Sequence, residues 1–222
     1  MKKSSAKKIL VIDIGGTNLK IRATGTDLVK VPSGPKMTAA QMAAAVKKVS
    51  ANWSFDAVAI GFPGPVKDNR PQREPHNLGG GWVKFDFKKA FGKPVKMIND
   101  AAMQAIGSHT GGCTLFLGLG TGLGSALVIN GQVLPLELAH LPYRKNKTYE
   151  QWLGDVARKR MGNKKWRKHV LHVVELFRNA LLADRVVLGG GNVRHFEKLP
   201  AGIEAGTNAN AFVGGQRLWE MP

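Results

Sequence analysis

The sequence predicts an α/β protein made of two similar halves around a cleft, and three observations carry that expectation. Two apolar runs, Lys8 to Ile14 and Thr114 to Leu119, each enter a glycine-rich turn and return as an alternating strand. Other short apolar runs, Ala57 to Phe62, Val95 to Ile98 and Val186 to Leu188, alternate with helical stretches, as α/β proteins do. The 222 residues are 43% hydrophobic and include 27 glycines, enough for a sizeable core in a turn-rich globular chain. The halves are expected at 1–110 and 111–222, with the last helix able to pack back on the first half.

In the first half, Lys8 to Ile14 reads as a buried strand, Gly15-Gly16-Thr17-Asn18 as a tight turn and Leu19 to Ala23 as the returning strand. Such a tip offers backbone amides and a hydroxyl at a place where an anion can approach closely. A plain hairpin is the simpler reading, and no Gly-Lys-Ser/Thr follows to make it a P-loop. Asp13, just before the turn, is a candidate to hold a hydrated magnesium. Thr38 opens a helix from Ala39 to about Asn52, and a long polar stretch from Pro63 to Gly81 follows the next strand. Irregular segments of that length are usually functional. A short helix ends at Phe91, and the strand from Val95 ends at Asn99-Asp100, before a helix from Ala101 to Ile106. A carboxylate at the carboxyl end of a strand faces the crevice where open α/β sheets bind ligands. Asp100 is therefore either a helix cap or a functional acid.

In the second half, Gly120-Thr121-Gly122 is the turn between Thr114–Leu119 and Leu123–Ile129, and Asn130-Gly131 signals a further hairpin. Glu137 and His140 stand three residues apart. Helices are expected from Thr148 to about Met161, with Trp152, Leu153 and Val156 on its apolar face, and from Lys164 to about Ala183. Val186 to Leu188 is the last core strand expected, running into Gly189-Gly190-Gly191-Asn192, and Asn208 to Trp219 closes the chain as a helix. His169, His172 and Glu175 share helical spacing, which reads better as an exposed helix face than as a metal site. The Trp and Phe residues read as core.

Composition narrows the partners. Cys113 is the sole cysteine, which excludes a disulfide framework and a cysteine zinc cage and is compatible with the cytoplasm. The basic start (Lys2, Lys3, Lys7, Lys8) precedes a short run broken by Asp13, so it is not read as a signal peptide, and no run is long enough to span a membrane. Lys and Arg total 33 against 15 Asp and Glu, a formal net charge of +18, with pI near 10.3. Such a field attracts polyanions. Between Arg144 and Arg178 basic residues outnumber acids eleven to three, and Lys164, Lys165, Arg167 and Lys168 are the candidate polyanion surface. Lys84, Lys88, Lys89, Lys93 and Lys96 form a second cluster opposed only by Asp86.

Together these segments resemble the ROK (repressor, open reading frame, kinase) sugar kinases. Asp13 to Lys20 resembles their first phosphate motif and Leu119 to Gly124 the second. Ile98-Asn99-Asp100-Ala101 resembles the catalytic-base motif, and Val187 to Gly191 the glycine motif on the nucleoside side. Within the family, Gly120 to Leu127, Asn77-Leu78 with Trp82, and Glu150-Gln151-Trp152 are similar to the polyphosphate-using glucokinases. The resemblance implies two ribonuclease-H-like halves of the actin-like kinase fold and phosphoryl transfer to the 6-hydroxyl of glucose, from polyphosphate or ATP. It assigns Asp100 as base, Asn77, Asn99, Glu137 and His140 to the sugar, and Gly15, Gly16, Thr17, Lys20, Gly120, Thr121 and Gly122 to phosphates. Gly189, Gly190 and Gly191 would line the nucleoside side, with magnesium at Asp13. No structural zinc is expected, and a homodimer is.

The sequence also departs from the family. Ala139 stands where relatives usually have Gly, between Glu137 and His140, and no cysteine follows His140. The family's second sugar-binding glutamate cannot be placed, Glu150 reading more simply as an ordinary first-turn helix acid. The chain begins almost at its first strand, which counts against the DNA-binding repressors of the family. Two alternatives remain from the residues: an ATP-dependent kinase for another hexose or an N-acetylhexosamine, and an inactive basic protein that binds nucleic acid only as a non-specific polyanion.

Overall fold

A computed structural model describes residues 7–207 and 209–221. Lys2, Lys3 and Asn208 lie outside the described residues. The chain divides into two units, one of residues 1–103 with 215–222, the other of residues 104–214.

The first unit is built on a five-stranded sheet. β1 (Ile9–Ile14) and β4 (Ala57–Phe62) are buried along their whole length, as strands covered on both faces must be. β2 (Asn18–Ala23) returns antiparallel to β1 and β3 (Val29–Pro32) continues the meander, while β4 and β7 (Val95–Asn99) extend the other edge in parallel. The order is β3-β2-β1-β4-β7. α1 (Ala39–Val49) starts at a complete capping box, Thr38 with Gln41, and buries Met42, Ala43 and Val46. It stops at Val49, with Ser50 as its C-cap, sooner than the composition suggests. The Pro63–Gly81 stretch contains a small hairpin, β5 (Val66–Lys67) with β6 (Arg70–Pro71). It is then tied down by Glu74, whose carboxylate accepts from the Trp82 amide at 3.0 Å and the Val83 amide at 3.2 Å. α2 (Phe87–Phe91) is capped by Asp86 and leads into β7.

The second unit repeats the plan. β8 (Cys113–Leu119), β9 (Leu123–Ile129) and β10 (Gln132–Leu136) form the meander, and β13 (Arg185–Gly189) and β14 (Ile203–Ala205) lie parallel beyond β8. The order β10-β9-β8-β13-β14 matches that of the first unit strand for strand. β13 is therefore not the last strand. β14 escaped the sequence reading because only three residues, of which Ile203 alone is buried, carry its pattern. Asn130 and Gly131 both have positive φ, as the two-residue turn between β9 and β10 requires.

The helix expected over 148–161 is two helices, α4 (Tyr149–Leu153) and α5 (Asp155–Met161). Gly154 breaks them with an extended ψ of 168°. The break resets the helical phase, so Val156, expected in the core, is 74% exposed and Ala157 is buried instead. α6 (Asn163–Ala180) lays Trp166, Val170, Val173, Val174 and Phe177 on the core. A short hairpin, β11 (Pro142–Arg144) with β12 (Lys147–Thr148), precedes α4. α3 (Asp100–Ser108) and α7 (Ala209–Arg217) each contain one of the division points between the units. Among the described residues no helix is long and apolar enough to cross a membrane.

Candidate active site

Three neighbouring strands of the first unit end together. Asp13 of β1 pairs in register with Gly61 of β4, and Gly61 with Ile98 of β7. α3 begins immediately after β7, and a Cβ on Gly61 would meet the Met103 side chain and come within 3.4 Å of the Asp100 Cα. Glycine at 61 thus admits the first turn of α3 against the sheet, which places Asp100 near Asp13. The cap of α3 is not Asp100 but Asn99, whose Oδ1 accepts from the amides of Ala101 at 3.0 Å and Ala102 at 3.1 Å. Asn99 also donates from Nδ2 to the Gly64 carbonyl at 3.2 Å. Asp100 shares one of those amides, its Oδ1 accepting from Ala101 at 2.8 Å, so the helix start is held mainly by Asn99.

Asp100 is half-buried at the start of α3. Burial pushes its pKa up from 3.8 to about 7, and the charge of Asp13 adds to the rise, while amide hydrogen bonds and Lys20 pull the other way. Asp13 is 4% exposed and its Oδ2 accepts from Lys20 Nζ at 2.9 Å. The result is a buried acid–lysine pair beside an acid poised near neutrality, a pattern concentrated at catalytic sites.

The first glycine turn sits directly after this cluster. Gly15 donates to the Asn18 carbonyl at 3.1 Å, so tightly that a Cβ at 15 would lie 2.8 Å from that oxygen. Asn77 comes to the turn from the polar loop: a Cβ on Gly16 would be 3.0 Å from the Asn77 Cβ. Ser33, which the sequence reading missed, braces the turn by donating to the Gly15 carbonyl at 2.6 Å. A serine directly after a short strand carries no recognisable signal.

The second glycine turn is braced on three sides. Asp155, the first residue of α5, donates its amide to the carbonyls of Gly120 and Thr121, both at 3.2 Å. Asn192, 6% exposed after the third glycine segment, donates to the Gly120 carbonyl at 3.1 Å. Gly190, at φ 84°, lies against the Leu119 backbone in that same arrangement. Glu150 is more than an ordinary first-turn acid. Its Oε2 accepts from the Leu123 amide at 3.2 Å and lies against Gly122. Gly189 and Gly190 thus serve packing on Phe116 and Leu119, while Gly191 has nothing within 4 Å of the position a Cβ would take.

Glu137 and His140 converge, with Oε2 and Nε2 3.4 Å apart, but on an open surface: their side chains are 57% and 65% exposed. The backbone between them is a 3₁₀ turn, Leu138–His140, whose buried Ala139 does not have positive φ. Alanine at 139 is therefore unstrained. Ser125 holds the turn, donating to the Leu136 carbonyl at 2.8 Å and accepting from the Leu138 amide at 3.2 Å.

Of the basic residues on α6, Lys164, Lys165 and Lys168 are exposed. Arg167 departs from them: its guanidinium donates to Glu197 at 3.0 Å and to the His195 carbonyl at 2.8 Å, so its charge is matched internally. His169 and His172 lie on the partly exposed side of the helix, and among the described residues no three His, Cys, Asp or Glu are grouped to hold a metal.

The ROK family model matches residues 9–135. A polyphosphate glucokinase of Mycobacterium tuberculosis is 25% identical over 209 residues, covering 84% of this chain and 78% of its own. Among solved structures, an inorganic polyphosphate/ATP-glucomannokinase from Arthrobacter sp. strain KM superposes with a TM-score of 0.73 at 24% identity, over 96% of this chain and 98% of its own. A ROK family glucokinase from Streptomyces griseus, solved with glucose and AMPPNP, gives 0.72 at 18% identity, over 95% and 98%. The shared fold is the actin-like, ribonuclease-H-like kinase fold, which the matching order of the two five-stranded sheets displays. With the family model matching more than half of its length, the chain belongs to the ROK family.

Proposed function

We propose that this protein transfers a phosphoryl group from inorganic polyphosphate, with ATP as a second donor, to the 6-hydroxyl of glucose. The observation that carries the reading is the Asp100 carboxyl, raised to about 7 beside the Asp13–Lys20 pair at the first glycine turn. A general base works best with a pKa near the working pH. Asp100 takes the proton of the sugar hydroxyl as its oxygen bonds to the terminal phosphorus. The bridging P–O bond breaks, and the donor leaves one phosphate shorter. Phosphoryl transfer asks mainly for positioning and charge neutralisation. Gly15, Gly16 and Thr17, and likewise Gly120, Thr121 and Gly122, supply amides and hydroxyls to phosphate oxygens. Glu137, His140 and Asn77 supply hydrogen bonds to sugar hydroxyls.

Magnesium fits this donor set on one condition. Lys20 occupies one oxygen of Asp13, so the residue would hold the ion through its other oxygen and through water, with phosphates completing the shell. Bound there, the ion would neutralise charge on the transferring group.

The polyphosphate glucokinase and glucomannokinase relatives support polyphosphate as donor, and so does the +18 charge, which a nucleotide-only kinase does not need. A second reading keeps the transfer and changes the sugar. The open Glu137–His140 pair would accept neighbouring hydroxyls of mannose or an N-acetylhexosamine as readily as those of glucose. A coupled assay for glucose 6-phosphate, with ATP and long-chain polyphosphate offered separately, tests both. Product from polyphosphate supports the reading; product from ATP alone removes the polyphosphate donor; no product from either donor removes glucose.

A further inference from the structure

Among the described residues, basic side chains gather in several places outside the glycine turns, and three of them bear comparison. A depression of about 410 Å³ beside α2 is lined by Lys88, Lys89 and Lys93, but it also holds the Asp86 carboxylate. Lys96 is saturated, donating to the carbonyls of Leu218 and Met221 and lying over the Trp219 ring. The third place is where the β11–β12 hairpin meets α6, and it differs from both.

There the hairpin presents Arg144, Lys145 and Lys147, with Lys145 and Asn146 both at positive φ in a tight two-residue tip. α6 presents Lys165, Lys168, His169 and His172. Arg144 Nη2 lies 3.3 Å from His172 Nε2. A guanidinium only donates, so in this contact the imidazole nitrogen is the acceptor. The hairpin is fixed to α4 by the Trp152 indole, which donates to the Arg144 carbonyl at 3.1 Å, and the Trp152 ring packs on His169 at 4.7 Å. None of Arg144, Lys145, Lys147, Lys165 or Lys168 has an ion-pair partner among the described residues. Glu175 is the next acid along α6, and Glu150 of α4 is committed to the Leu123 amide. Burial, with Arg144, Lys165 and His172 nearby, holds the His169 imidazole below its ordinary pKa.

Cations gathered on a braced hairpin and a rigid helix, with Glu175 one turn beyond His172 as the neighbouring acid on α6, repel one another until an anion arrives. We propose that the β11–β12 hairpin and the adjoining face of α6 form a docking site for linear inorganic polyphosphate, held by Arg144, Lys165, Lys168 and the two histidines. A nucleic acid fits less well. Single strands bind by stacking bases on open aromatic faces. Here Tyr143 is stacked on Tyr149 at 4.6 Å, lies under Arg144 at 5.0 Å and meets Trp152 at 90°, while Trp152 is packed on His169. The aromatic surface is used internally, and what the site offers is charge and N–H donors, which suit a chain of phosphates without bases.

The inference rests on polyphosphate being the donor, so it is tested by binding rather than turnover. Long-chain polyphosphate is titrated calorimetrically into the full chain and into the triple variant Arg144→Gln, Lys165→Gln, Lys168→Gln, over a range of salt. The expected result is affinity lowered at least about tenfold at low salt, with a log–log salt slope smaller by about 2–3. Polyphosphate should also raise the titration midpoint of His169, followed by its ring-proton NMR resonance, because a nearby anion favours the protonated ring. Thermal unfolding verifies that the variant is folded. Unchanged affinity in the triple variant overturns the site. So does an equal loss in the control Lys88→Gln, Lys89→Gln, Lys93→Gln, which would make binding a matter of total charge. A single-stranded oligonucleotide of equal charge that binds as tightly, with the same loss, overturns polyphosphate as the occupant. Localised binding without product from polyphosphate keeps the docking site and sinks the donor reading. Product from polyphosphate with full affinity in the variant does the reverse.

Discussion

Asp100 is held in a state that suits catalysis and works against folding. Asp100→Asn should lower turnover by about 10²–10⁴-fold, with glucose still binding by calorimetry. In the wild type kcat/KM should fall as pH drops below about 7, because the base must be ionised. Stability runs the opposite way. The folded pKa lies above the unfolded one, so between about 4 and 7 the native state binds more protons and loses stability as pH rises. Asp100→Asn should therefore stabilise the protein at neutral pH, by at most about 4 kcal/mol, and flatten its stability between those values in denaturant titrations. A destabilised variant would mean that Asp100 is structural. Glu137 gives a simpler test. As an open pair with His140 it is not required for the core, so Glu137→Ala should leave the unfolding midpoint unchanged. Glucose binding should weaken by roughly 1.5–3 kcal/mol; full affinity would place the sugar elsewhere.

At the scale of elements, the break between α4 and α5 works for the second glycine turn. Gly154 has φ −68°, a value any residue adopts, but a Cβ there would lie 2.7 Å from the Thr121 carbonyl. Glycine is needed for closeness rather than conformation. Gly154→Ala should push the start of α5 off the turn, costing about 1–3 kcal/mol of stability as overpacking does. Glu150 acts on the same turn from α4. Glu150→Ala should raise KM for either donor while leaving glucose affinity intact, because it removes the acceptor that holds the Leu123 amide at the second glycine turn. Loss of glucose affinity instead would restore Glu150 as the sugar-binding glutamate that the family pattern calls for.

For the whole molecule the +18 charge decides the salt response. Turnover with long-chain polyphosphate should fall with salt far more steeply than turnover with ATP, because a long chain displaces more counterions. Lys164→Glu, Lys165→Glu and Lys168→Glu together should flatten the polyphosphate slope toward that of ATP. Parallel slopes for the two donors in the wild type would show that the basic surface has no part in donor choice.

The repeated strand–turn–strand plan was legible in the sequence because each sheet grows from an uninterrupted apolar strand followed by a glycine turn, a pattern of period and turn chemistry written locally in Ile9–Ala23 and Cys113–Ile129. Asp100, the two turns and the Glu137–His140 pair could likewise be named from residue type and order. Tertiary structure decided what those residues touch. The helical period of 148–161 continues through Gly154 on paper, and only the closeness of Thr121 shows why the helix stops there. Glu150 and Asn192 reach Leu123 and Gly120 across 27 and 72 residues, distances at which sequence spacing carries no geometry. The same holds for charge. Arg167 and Lys168 are neighbours in sequence, yet one turns to Glu197 and the other to solvent, because helical rotation and a partner thirty residues away decide which cation is already matched.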